Sequence, residues 1–188
     1  IAMGAQAFHV IYDWSSPMLE LRYPLGRETF APDENLRIRW ADSLGMTSDT
    51  LELFYSADDG INWTAIDQEI SGTATQYQFT VPNIVSDEVQ IRIQNKSGTL
   101  ADTTSNFTIM GRPVLTAETL CGGQVNLSWH AIDNTSQYEI FELINDEWQL
   151  LQSTTQLTYD IPNSTVGSYH CYSVQAVSSS GIRGLRSV

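Results

Sequence analysis

The chain has 188 residues, which suits two domains of about 90–100 residues each. Hydrophobic residues make up 41% and charged residues 16%, with a formal net charge of −13. Lys96 is the single lysine and the arginines are scattered, so no basic face exists to displace counterions. That excludes nucleic acid and an anionic membrane surface as expected partners.

No apolar run reaches the length of a membrane span, so direct membrane insertion is not expected. No charged-then-apolar signal segment opens the chain, which begins at Ile1 and stops at Val188 inside what reads as a last strand. The expectation is a fragment or processed product of a longer protein, with any signal peptide or anchor outside it.

In chain order, Phe8, Val10, Tyr12 and Trp14 alternate with other residues. Residues 1–16 therefore read as a strand or linker left over from a preceding domain. A first module is expected over 17–110. Within it, Leu36, Ile38 and Trp40 share one face of a strand and Arg37 and Arg39 the other, because side chains alternate with period 2. Next come the strand-like 50–56 (TLELFYS), a turn ending at Trp63, the run Phe79-Thr80-Val81-Pro82-Asn83, and the alternating Val89, Ile91 and Ile93. Ser97-Gly98 closes that strand.

The same series then repeats. Val125-Asn126-Leu127-Ser128-Trp129 answers the first Trp-ending strand, and 137–143 (QYEIFEL) answers TLELFYS, with Trp148 after its turn. Tyr159-Asp160-Ile161-Pro162-Asn163, then Tyr172, Val174 and Ala176, then Ser180-Gly181 follow. Gly111-Arg112-Pro113 is a natural joint, and the second module is expected over 111–188. About seven short strands per module, with no helical periodicity, predict an all-β chain of two sandwiches. Trp40 and Trp129 should sit mid-core, each contributing roughly 1.5–3 kcal/mol by burial.

Ser56-Ala57-Asp58-Asp59-Gly60-Ile61-Asn62-Trp63 fits the Asp-box pattern S-x-D-x-G-x-x-W. Its mechanics are local: Asp58 accepts from turn amides, Gly60 takes the positive-φ position, and Trp63 packs back on the hairpin. A sialidase-like glycosidase would need many repeated blades, and one box in 188 residues does not supply them. Ser56, Asp58, Gly60 and Trp63 therefore read as a structural turn. Asp42, Asp49, Asp58 and Asp59 lie in loops without calcium-loop spacing. No cofactor or metal is expected, with calcium at Asp58 and Asp59 as the alternative. His9, His130 and His170 are far apart and no catalytic motif surrounds them, so no catalytic residue is assigned and an enzyme is not expected. N-x-S/T triplets start at Asn62, Asn95, Asn106, Asn126, Asn134 and Asn163.

The second half resembles a fibronectin type III domain, through VNLSW as strand B, QYEIFEL as strand C, and the Tyr172-x-Val174-x-Ala176 run of strand F. The tyrosine usual two positions before Tyr172 is replaced by His170, with Tyr169 beside it. The first half resembles an immunoglobulin-like module of the kind that precedes such domains in secreted bacterial multidomain proteins. Pro24-Leu25-Gly26, Leu36–Trp40, Tyr55–Trp63, Val81-Pro82 and Phe107-Thr108-Ile109 carry that likeness. The resemblance implies two tandem immunoglobulin-like/fibronectin type III β-sandwiches doing accessory work: spacing, presenting, or binding a surface.

In this arrangement Cys121 precedes strand B and Cys171 opens strand F, and both strands start at one end of the domain. A Cys121–Cys171 bridge is sterically open, closing a loop of about 50 residues, a constraint of roughly 4 kcal/mol in the chain-entropy model; the alternative is an unpaired thiol, since strand alternation points Cys171 away from the face of Tyr172 if Tyr172 faces inward. A bridge suits an exported protein. The expected function is a non-catalytic spacer or protein-interaction segment whose partners are neighbouring domains of its parent chain or another surface protein. One alternative is a carbohydrate-binding module using Trp63 and Trp148, since aromatics with polar tips suit sugar stacking. Another is a set of accessory domains of a secreted protease. A cytokine-receptor ectodomain also pairs two sandwiches, but the W-S-x-W-S element and first-domain cysteines are missing.

Overall fold

The computed structural model describes residues 18–42, 49–120, 124–161 and 170–187. These form sixteen strands and no helix. The first nine are β1 (Leu19–Tyr23), β2 (Thr29–Phe30), β3 (Asn35–Asp42), β4 (Thr50–Ser56), β5 (Thr64–Ser71), β6 (Gln76–Thr80), β7 (Ser86–Asn95), β8 (Ala101–Thr103) and β9 (Phe107–Ile109). One sheet has the order β1-β3-β6 and the other β2-β9-β7-β4-β5, with β8 also paired to β7. In β3, Leu36, Ile38 and Trp40 are buried while Arg37 and Arg39 are exposed. Val89, Ile91 and Ile93 of β7 meet them from the opposite sheet in one core with Leu51, Leu53 and Phe107.

Seven further strands follow: β10 (Leu115–Thr119), β11 (Val125–Trp129), β12 (Thr135–Ile144), β13 (Glu147–Thr154), β14 (Thr158–Ile161), β15 (Tyr172–Ser178) and β16 (Arg183–Arg186). They form the sheets β10-β11-β14 and β13-β12-β15-β16. A second core gathers Leu127, Trp129, Tyr138, Ile140, Val174 and Ala176. Trp129 packs on Tyr138 at 5.5 Å between ring centroids, and the Tyr138 hydroxyl accepts the backbone N–H of Ile132. In both halves the first, second and fifth sandwich strands pair in one sheet while the third, fourth, sixth and seventh pair in the other. The chain is two tandem immunoglobulin-like/fibronectin type III β-sandwiches.

The first sandwich has nine strands rather than about seven. Its first edge is broken into β1 and β2 by a cis Tyr23–Pro24 peptide followed by positive φ at Gly26 and Arg27. Beyond the break the chain crosses sheets, and β2 runs parallel to β9. The bonds there run from the N–H of Arg27 to the carbonyl of Asn106, from Thr108 to Glu28, and from Met110 to Phe30. The last strand is likewise split into β8 and β9, both held by β7.

β15 departs from simple alternation, because Ser173, Val177 and Ser178 are buried as well as Val174 and Ala176. The chain after β16 covers part of its outer face: the Ser173 hydroxyl donates to the Ser187 carbonyl, and the Val174 N–H donates to the Ser187 hydroxyl. At the joint, Met110 is fully buried in the second core, where Val85 and Ile132 also pack.

Candidate interaction surface

The Asp-box residues form the β4–β5 turn. Asp59 and Gly60 both have positive φ within the connection between Ser56 and Thr64. The Ser56 hydroxyl donates to Asp58 and accepts the Gly60 N–H. The other Asp58 bonds come from the backbone N–H and the side-chain amide of Asn62, at 2.8 and 2.6 Å. These donors hold the Asp58 carboxyl below its ordinary pKa, the Asn62 backbone N–H most strongly. Asp59 accepts from Gln90 and Asn106. Both carboxylates thus point at N–H and O–H donors, which a calcium ion would have to displace. Among the described residues no group of three or more His, Cys, Asp or Glu side chains could hold a metal.

Trp63 is half-buried beside Gly60, with the Arg92 guanidinium 5.9 Å from its ring centroid. Trp148 belongs to the other sandwich and is 40% exposed on β13. Arg186 lies 5.5 Å from the Trp148 ring and 5.0 Å from Phe141. No ring contact joins the two tryptophans among the described residues, and Tyr12 and Trp14 lie outside them. Each tryptophan is instead paired with an arginine of its own sandwich.

The outer face of the β13-β12-β15-β16 sheet carries exposed apolar side chains. Directly opposed residues of antiparallel strands share a face, so Trp148 stands with Leu143 and Leu150 with Phe141. Leu150 is 54% exposed. Beside them Glu139, only 6% exposed, receives two bonds from the Arg183 guanidinium at 2.9 and 3.1 Å. These hydrogen bonds, and then the charge of Glu139, raise the pKa of Arg183. Sequence reading missed Phe141, Glu139, Arg183 and Arg186. The available signal was that Glu139, Phe141 and Leu143 alternate with the core residues Tyr138 and Ile140.

At one end of this sheet, His170 Nδ1 lies 2.7 Å from Glu142 and its ring stacks on Tyr172. Burial, then the Glu142 carboxylate, raises the Tyr172 pKa. Cys171 is an exposed free thiol. Cys121 lies outside the described residues, so a Cys121–Cys171 bridge is not part of the described structure. His130 is exposed and His9 is outside the described residues. Trp40 and Trp129 are 3% and 5% exposed, and neither indole N–H has a hydrogen-bond partner. A shallow cleft of ≈ 270 Å³ at the joint is lined by Asp33, Val85, Arg112, Ile132 and Asp133 among others. Among the described residues no helix is long and apolar enough to cross a membrane.

No family model matches the chain, and no curated protein matches it. Among solved structures it is similar to a chain of a cytokine receptor complex, at 15% identity and a TM-score of 0.46, covering 90% of this chain and 92% of that one. It is also similar to the chicken CNTN1 FN1–FN3 domains, at 14% identity and a TM-score of 0.36, with 91% of this chain covered. There it spans 62% of the other chain, less than two thirds of its length. A third is the Clostridium thermocellum CbhA fibronectin(III)-like modules, at 11% identity and a TM-score of 0.31, with 90% of each covered.

Proposed function

We propose that the chain is a non-catalytic spacer and protein-interaction segment of a larger secreted or cell-surface protein. The first module occupies 17–110 and the second 111–188, with 1–16 as a strand or linker from a preceding domain. The observation that carries this reading is the outer face of the second sandwich. Exposed Trp148 and Leu150, on one face with Phe141 and Leu143, sit beside Arg186, whose guanidinium lies over Phe141 and Trp148. An aromatic and aliphatic patch with an arginine at its centre has the composition of protein-binding surfaces. The polar clusters support the same reading. The Ser56 hydroxyl and Asp58 carboxylate bond each other and the turn backbone, so they are committed to holding a hairpin.

A second reading, carbohydrate binding, is favoured by the exposure of Trp148 alone. Trp63 contributes less to it, being half-buried beneath Arg92. The experiment is a glycan array together with hydrolysis assays on glycoside and peptide substrates, with folded Trp148→Ala and Trp63→Ala variants as controls. Silence in both assays is the expected result. Sugar binding lost in Trp148→Ala moves the assignment to a carbohydrate-binding module. Hydrolysis at enzymatic rates overturns the non-catalytic reading.

A further inference from the structure

The segment joining the sandwiches is packed like interior rather than strung like a tether. β9 ends at Ile109 and β10 begins at Leu115, and of the residues between them Met110, Gly111 and Pro113 are buried. Gly111 does not use the left-handed φ that glycine adopts freely. What it supplies is room: a Cβ there would sit 2.3 Å from Ile132 Cγ2, so the glycine admits the β11–β12 turn. The ring of Pro113 fixes its own φ, and Arg112, as the residue before a proline, is held out of the helical region. A hinge absorbs motion at a few free backbone positions, and none of these three is free.

Both sandwiches grip this segment. The Met110 N–H donates to the Phe30 carbonyl of β2 at 3.0 Å, while the Met110 side chain is fully buried in the core that holds Leu127 and Ile140. Val85, between β6 and β7 of the first sandwich, packs on that same second core. From the other side β16 lies against β2, and Gly184 of β16 closes on the Gly111 carbonyl and the Met110 side chain. We propose that the two sandwiches move as one rigid body, with Met110 as the latch: a side chain carried on the backbone of the first sandwich and seated in the core of the second. Swinging the sandwiches apart either draws an apolar side chain into water or drags β2 out of its place, and close-packed interiors do not deform continuously. Relative motion is the ordinary behaviour of tandem domains, and an apolar contact continuous with a core removes it. The inference rests on the spacer reading for its meaning. A rigid pair sets both the distance and the angle between its neighbours, where a flexible tether sets only a reach.

The test is nuclear magnetic resonance of the full chain. Amide nitrogen relaxation and residual dipolar couplings are expected to give both sandwiches one rotational correlation time and one alignment tensor. Met110→Ala keeps the backbone bond to Phe30 and removes the latch. In that variant the two alignment tensors are expected to diverge, and each correlation time to shorten toward that of a lone sandwich. Val85→Ser replaces a partly buried contact and spares both cores, so it shifts the same readouts in the same direction by less. Two separate tensors in the wild-type chain overturn the inference, as does a folded Met110→Ala that leaves the single tensor unchanged. Should Met110→Ala not fold, a Val85→Ser chain indistinguishable from wild type overturns it. Each of these leaves the spacer reading standing, because a flexible tether is also a spacer. Hydrolysis or sugar binding in the assays above overturns that reading instead and leaves the rigid joint in place.

Discussion

Asp58 shows how much of one turn a single carboxylate holds. Ser56 and Asn62 donate to it, and its pKa is lowered in the folded chain. A group whose folded pKa lies below its unfolded value stabilises the fold fully above the unfolded value, near 3.8 here. That stabilisation is lost as pH falls through the folded value. Asp58→Asn is therefore expected to lower the melting temperature at neutral pH, with the gap to wild type closing below the carboxylate range. Thermal melts followed from neutral pH to about pH 2 check this. This turn was legible in the sequence because every partner lies within four positions of Asp58. The Glu139–Arg183 clamp spans 44 positions. Arg186 reaches Phe141 and Trp148 only because β12 lies between β13 and β15, an adjacency that periodicity does not encode.

At the level of elements, the two tryptophan-ending strands occupy equivalent places. β3 and β11 are each the middle strand of a three-stranded sheet, and each ends its apolar face on a buried indole. Truncating either leaves a large cavity, so Trp40→Ala and Trp129→Ala are each expected to cost about 3–5 kcal/mol. Urea unfolding should place the loss in the sandwich that carries the substitution. Strands of this kind were readable because period-2 alternation fixes which face is apolar before any partner is known. β15 was half readable. Its Val174 and Ala176 follow the pattern, but the burial of Ser173 and Ser178 depends on a tail and a turn that close over them. The extra strands of the first sandwich depend on a backbone break at 24–27 that sends the edge across to the opposite sheet, where it meets β9.

Across the whole molecule, the joint belongs to both sandwiches. The Met110 N–H bonds Phe30 of the first, while its side chain is buried in the core of the second. Gly184 of β16 closes on this point. A Cβ there would lie 2.6 Å from the Gly111 carbonyl oxygen and 2.9 Å from the Met110 side chain. Backbone cannot swing aside as a flexible side chain can. Gly184→Ala is therefore expected to destabilise the second sandwich by about 1–3 kcal/mol, measured by chemical denaturation. The parallel β2–β9 pair has a mechanical consequence for a spacer. Beyond β1, which pairs with β3, the chain enters the parallel pair at the N-terminal end of β2 and leaves it from the C-terminal end of β9. Tension between flanking neighbours therefore shears the pair and loads its bonds at Arg27, Thr108 and Met110 together rather than unzipping them one by one. β10 and β16 lie in different sheets and, among the described residues, share no such bonds. Under load the second sandwich is the fuse and the first is the clamp.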